Sequence, residues 1–285
     1  MEPIAIVNLM IVGLTAWTSY RGLTDGSFRD RMLFSPEHIL RDKQHERLLT
    51  SGLVHADWIH FGFNMFSLYS FGRLIELEYG AHILLAIYVS AILGGSLLSL
   101  GLHRHHEYRA LGASGGVCGV IFAAIFLLPG GEVVIFPLPF GIPASIYAVV
   151  FVVVSFIGMR KQIGNVGHDA HLGGAIVGLL VATAMFPSIV TESPWLYAAI
   201  MVGSAGLGAY HYLVPAMPGR GNPFARALGQ QQRRRRTEQK QQQRRQAEDE
   251  ELDRLLDKVS REGMHSLSDR ERRRLQKISK HRRDD

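Results

Sequence analysis

"RALGASGGVCGVIFAAIFLLPG", residues 109–130, decides how the rest of the chain is read. Only Arg109 at its head is charged, and a Gly-Ala-Ser-Gly turn opens what reads as a membrane-buried helix over 113–129. A serine at a helix N-terminus lies beside unpaired backbone N–H groups and the positive end of the helix dipole. Gly112, Gly115 and Gly116 remove side-chain bulk around Ser114, so a backbone or a substrate can approach it. Those features favour negative charge developing next to the hydroxyl. Two readings stand at this point, because Ser and Gly are also common where membrane helices pack. A serine hydroxyl needs a base to become a nucleophile, so the choice depends on what else can reach Ser114.

Working outward, runs of about 18 or more apolar residues are long enough to cross a bilayer core. They fall at about 3–20, 57–75, 81–102, 113–129, 143–159, 167–187 and 194–215. The first lacks a basic leader and a small-residue cleavage site before the next segment, so it reads as a retained span. Such a chain is expected to be an all-α, multi-pass helical bundle of about seven transmembrane helices with a soluble, basic C-terminal helical tail. Residues 220–285 hold 20 Lys and Arg against 12 Asp and Glu, so the basic balance belongs to the tail. The single cysteine, Cys118, excludes an intrachain disulfide framework and a Cys-based zinc site.

Polar side chains inside apolar spans are costly and are functional candidates by default. His60 and Asn64 in "WIHFGFNMF" are four apart and share one helix face. They either satisfy each other against a neighbouring helix or aim donors at one point, where an imidazole N–H and an amide can stabilise an oxyanion. His171 in "GHDAHLGGAIVGLL" is the candidate base for Ser114. Gly174 and Gly178 lie on the face that bears its imidazole, and Gly115 and Gly119 are likewise four apart. Two helices with small-xxx-small faces cross closely, which a Ser–His hydrogen bond between helices requires. Alone, His171 also reads as a packing histidine. His168 and His171 lack a third ligand for a convincing metal site, and Asp169 points elsewhere on the helix. "HRHH", 103–106, reads as a solvated loop, and there is no His-Glu-x-x-His. No metal or cofactor is expected.

These residues carry a resemblance. "HERLLTSGLVHADWIHFGFNM" (45–65), "GRLIELEYG" (72–80), "GASGGVCG" (112–119) and "AHLGGAIVG" (170–178) together resemble the rhomboid intramembrane serine proteases in order and spacing. The resemblance implies a Ser114–His171 dyad and an oxyanion hole of His60, Asn64 and the Ser114 backbone N–H, with Gly112 at the binding face. It implies structural roles for Arg47 and Glu76, and it makes 21–56 an interfacial lateral loop. Transmembrane segments of other proteins would be the substrates, in a bacterial inner membrane. Such proteins that lack the serine or histidine bind helices silently, as chaperones or adaptors, and this is the alternative reading. One departure matters: Cys118 stands where the family often has an aromatic residue stacked on the catalytic histidine, so His171 must be oriented from elsewhere.

The domain reading is a six-helix catalytic domain over 1–190, an added helix over 191–218 in a six-plus-one plan, a basic Gln/Arg-rich linker over 219–247 and a helical hairpin over 248–285. In the hairpin, Leu252, Leu255, Leu256 and Val259 recur at helical spacing, and Ser268-Asp-Arg-Glu271 has the form of a capping box before Leu275 and Ile278. The linker reads as a solvated segment or as a contact for anionic lipid. Without aromatics it offers no base stacking, so no nucleic-acid partner is expected. Topology stays open. Seven spans and an outward-facing site put the tail outside, whereas the positive-inside rule pulls it into the cytoplasm.

Overall fold

The computed structural model describes residues 3–105, 107–134, 140–161, 167–213, 249–261, 263, 266–268 and 270–275. In chain order the helices are α1 (Ile6–Thr24), α2 (Gly26–Met32), α3 (Pro36–Leu40), α4 (Arg47–Thr50), α5 (Trp58–Tyr79), α6 (Ala81–His103), α7 (Ser114–Leu127), α8 (Ala144–Lys161), α9 (His168–Met185), α10 (Ser188–Glu192) and α11 (Pro194–Leu213). The connection between α7 and α8 adds what the apolar pattern does not announce. It is a short antiparallel ribbon, β1 (Glu132–Val134) with β2 (Gly141–Pro143), in which Val133 pairs with Ile142. The architecture is an all-α, multi-spanning membrane bundle.

Among the described residues, α6, α8 and α9 are long and apolar enough to cross a membrane, and α7 is a shorter apolar helix. At 14 residues α7 is about 21 Å long, short of a full bilayer core. It needs no lipid-facing length, because every residue from Gly115 to Leu127 is buried within the bundle. The longer α1 and α5 are diluted by polar residues, some of which bond to backbone groups across the bundle. The Glu76 carboxylate on α5 accepts from Val7 N at 2.9 Å and from Asn8 N at 2.6 Å. It thereby occupies the unpaired N–H groups at the start of α1 and complements the dipole there. Asn8, fully buried, donates from Nδ2 to the Tyr69 carbonyl at 3.1 Å.

Small residues bring the inner helices together. A Cβ added to Gly174 would strike the Gly115 carbonyl, and one on Gly178 would strike the Gly119 backbone. On the other side of α9, Gly173 packs 3.0 Å from the Gly95 Cα of α6 by the same measure. Three helices are thus indexed at backbone contact, and only glycine permits that approach.

The loop between α1 and α5 is tied down from within. Arg47, buried, donates from Nη1 to the carbonyls of Asp30 (2.7 Å) and Leu33 (2.8 Å) and from Nε to Gln44 Oε1 (2.6 Å). One guanidinium supplies several fixed donors, so a single residue holds three points of the loop.

The C-terminal residues form a separate unit, 226–285. Residues 249–261 and 270–275 are helical, and Lys258 pairs with Glu271 and Arg274 with Glu251, each at 3.0 Å. Ser268 and Glu271 form the reciprocal cap: Ser268 N donates to Glu271 Oε2 at 2.8 Å, and Glu271 N to Ser268 Oγ at 3.3 Å. Among the described residues of this unit, Leu255 and Leu267 are buried. The linker over 219–247, for which solvation or an anionic-lipid contact is expected, and Ile278 lie outside the described residues.

Candidate active site

Ser114 is the first residue of α7, and His171 lies in the first turn of α9. Because α7 and α9 touch at glycine backbones, the two side chains meet across the crossing: Ser114 Oγ and His171 Nε2 are 2.6 Å apart. That distance suits a strong O–H to N hydrogen bond. The imidazole is in place to accept the hydroxyl proton, which is what a nucleophile and base require.

Gly112 shapes the turn before Ser114. Its φ is +130°, a conformation that side-chain-bearing residues rarely adopt, and a Cβ there would lie 2.6 Å from His60 Cε1. The His60 ring therefore covers the turn. Gly112 N donates to the Ser51 carbonyl at 2.9 Å, which ties the turn to the end of the first loop. Asn64 donates from Nδ2 to the His60 carbonyl at 2.9 Å, one turn back on α5. An amide carries two N–H groups, so this bond fixes the side chain while leaving it a second donor. His60, Asn64, Gly112, Ser114 and His171 line one cavity of about 450 Å³, together with Asp57 and Arg109.

His55 also belongs to this framework, although its place in the sequence does not single it out. It is fully buried, with Nδ1 2.9 Å from Ser19 Oγ of α1, and its Nε2 accepts from Ala113 N at 3.3 Å. Since Ala113 N is a donor, Nε2 must carry the lone pair and Nδ1 the proton. Burial, with His60 adding, pushes the His55 pKa down to about 3, so the ring is neutral. Its ring also meets that of His60 edge-on at 5.0 Å. The available signal was a histidine just ahead of the Asp57 that caps α5 through His60 N, but residue type alone does not reveal the Ala113 contact.

With Cys118 one turn after Ser114, the ring facing the His171 imidazole comes from α8. Phe151 stacks against it at 6.5 Å between centroids and 29° between planes. Phe122 at 5.1 Å and Tyr147 at 5.9 Å brace Phe151 in turn. Arg47 and Glu76 lie away from the cavity, in the loop and at the α1–α5 contact described above. Gly115, Gly174 and Gly178 lie in the α7–α9 crossing. Among the described residues no group of three or more His, Cys, Asp or Glu is placed to hold a metal ion.

Residues 42–188 match the rhomboid domain family, a stretch that contains every cavity residue named above. Residues 236–281 match a family of unknown function (DUF6576). The chain is similar to RHOMBOID-like protein 12, mitochondrial, of Arabidopsis thaliana, with 27% identity over 61% of this chain and 56% of that protein. Rhomboid protein 1, mitochondrial, of Saccharomyces cerevisiae is 29% identical over 47% of this chain and 40% of its own length. Rhomboid protease GluP of Bacillus subtilis is 26% identical over 58% of this chain and 31% of its own. The chain thus spans about half or less of the length of these relatives. A family match across just over half of the chain, with the cavity and the glycine-packed helices inside it, means that this chain belongs to the rhomboid family.

Proposed function

We propose that this protein is an intramembrane serine endopeptidase that cleaves transmembrane segments through a Ser114–His171 dyad. The observation that carries the reading is the 2.6 Å contact between Ser114 Oγ and His171 Nε2 in the lining of a cavity within a membrane bundle. A substrate helix unwinds near its end and presents a carbonyl to Ser114. The Oγ–C bond forms as His171 Nε2 takes the hydroxyl proton, and the same nitrogen returns that proton to the leaving amine as the C–N bond breaks. Water then attacks the acyl-enzyme, with His171 again as base, and releases the new carboxylate and free Ser114.

The tetrahedral oxyanion is held by His60, Asn64 and the Ser114 backbone N–H. Donors fixed before the reaction are worth most in a water-poor site, and here His60 lies against Gly112 while Asn64 is anchored to its own helix. Irregular backbone at membrane depth is tolerated where it lines a cavity, which accounts for the Gly-Ala-Ser-Gly turn. Close packing around Ser114 favours small residues at the cleaved bond. We read α11 as a span added to six, in a bacterial cytoplasmic membrane.

The test is cleavage of a single-span model substrate by liposome-reconstituted protein, comparing wild type with Ser114→Ala and His171→Ala. Loss of cleavage in both variants is expected. Absence of cleavage by wild type across several substrates, with helix binding retained, would replace this reading by that of a silent helix-binding protein. An Ala-for-Phe exchange at the cleaved position tests the size preference, and equal rates would refute it.

A further inference from the structure

We propose that Asp169 is a positioning residue that sets the distance between Ser114 and His171, an inference that rests on the protease reading above. Its side chain is buried in the first turn of α9, yet it takes no part in the reaction as derived. It lies two positions before His171, about 200° around the helix, so its carboxylate faces away from the dyad. It accepts instead from two other elements. His103 Nε2, at the end of α6, donates to Oδ2 at 3.1 Å, and Tyr108 OH, in the loop leading to Ser114, donates to Oδ1 at 3.3 Å.

The two donors are locked to each other. The Tyr108 ring lies flat on His103, with 3.7 Å between centroids and 2° between planes. Phe34 meets Tyr108 edge-on at 6.0 Å, and Phe34 and Ala110 exchange backbone hydrogen bonds at 2.9 and 3.3 Å. The segment from Tyr108 to Gly112, which delivers Ser114, is therefore referenced to the Asp169 carboxylate at one end and to Ser51 at the other. His171 is referenced to the same carboxylate through two residues of rigid helix. One group thus fixes nucleophile and base in a common frame.

Stability is a poor reason for such a group. A buried carboxylate with polar partners in place of apolar packing is often neutral or unfavourable, and fixing one geometry is a use that remains. The gain in this case is catalytic, since about 1 Å of misplacement costs on the order of 10²-fold in rate.

The experiment uses the full chain in liposomes with Asp169→Asn, Tyr108→Phe and the double variant. Steady-state cleavage of the model substrate, fluorophosphonate labelling of Ser114 and hydrogen exchange are each measured. We expect Asp169→Asn to lower kcat and the labelling rate roughly tenfold or more while KM stays within about twofold. The double variant should lose less than the product of the singles, because both act on one contact. Exchange should quicken in 108–114 and 168–172 together. Unchanged kcat and labelling in folded Asp169→Asn, or faster exchange confined to 168–172, would overturn the proposal. If wild type neither cleaves nor labels, the protease reading fails. Exchange then still decides whether Asp169 couples the two segments.

Discussion

Replacing Gly174 by Ala tests whether the α7–α9 crossing makes the Ser114–His171 contact. A Cβ at Gly174 would lie 2.7 Å from the Gly115 carbonyl carbon and closer still to its oxygen, where ordinary contact begins near 3.4 Å. Both obstacles are backbone, so no side chain can turn aside. The helices must separate by about 0.7 Å or more, and an overpacked interior of this kind costs about 1–3 kcal/mol. Gly174 lies one turn below His171, so the separation stretches the 2.6 Å contact to Ser114 towards the limit of hydrogen bonding. A displacement of this order lowers kcat by roughly 10- to 100-fold. The assay is cleavage of a single-span substrate by reconstituted protein, with fluorophosphonate labelling of Ser114 and thermal unfolding on the same samples. Gly203→Ala on α11 is the control, since a Cβ there meets nothing within 4 Å, and it should leave the rate unchanged and the stability no lower. Gly174→Ala retaining wild-type labelling and Tm would refute the reasoning, because the crossing would then have slack the backbone contacts deny.

His55→Leu should lower stability by about 1–3 kcal/mol by taking the acceptor from the buried Ala113 N–H, and calorimetry reads the change. Because burial holds His55 near 3, the unfolded chain takes up a proton that the folded chain refuses. The wild-type stability contribution of this site therefore falls as pH drops from about 6.5 towards 3, and His55→Leu should lose that dependence. Asn64→Ala should reduce kcat by about 10²–10³-fold with KM little changed, as removal of an oxyanion donor does; a change confined to KM would argue for a binding role. In the tail, the Ser268 N–H and hydroxyl and the Lys258 ammonium hold the Glu271 carboxyl down at about 2. Its contribution to the hairpin is complete above about 4.5 and fades as pH falls towards about 2, so hydrogen exchange of 249–275, corrected for intrinsic rate, should quicken in that window in wild type but not in Glu271→Gln. The end of α11 lies beside that of α8, with Arg160 over the Tyr210 ring at 4.9 Å. The α8 end in turn meets the start of α9, where Gly158 faces the His168 ring. The C-terminal end of α11 should therefore face the membrane side of Ser114, and Leu213→Cys should be modified by an impermeant reagent from that side alone.

The amino-acid sequence determined the class of this protein through local chemistry. Long apolar runs demand helices in lipid, because a helix satisfies its own backbone hydrogen bonds, and polar residues such as His60, Asn64, Ser114 and His171 stand out where burial is costly. The Ser268–Glu271 cap was legible for the same reason, since a capping box is closed within four residues. Relations between distant segments were not legible. Nothing near His55 indicates that Ala113 N would point at it, and nothing near Asp169 announces Tyr108, 61 residues earlier. The loss of an aromatic residue at Cys118 was readable, but the ring that faces His171, Phe151, arrives on α8 because of how that helix packs. The short ribbon β1–β2 and the burial of α7 from Gly115 onward likewise follow from what surrounds them. Periodicity and residue type report on contacts within a few residues. The positions of nucleophile, base and clamp depend on glycine-permitted helix crossings, and those exist only once the helices have met.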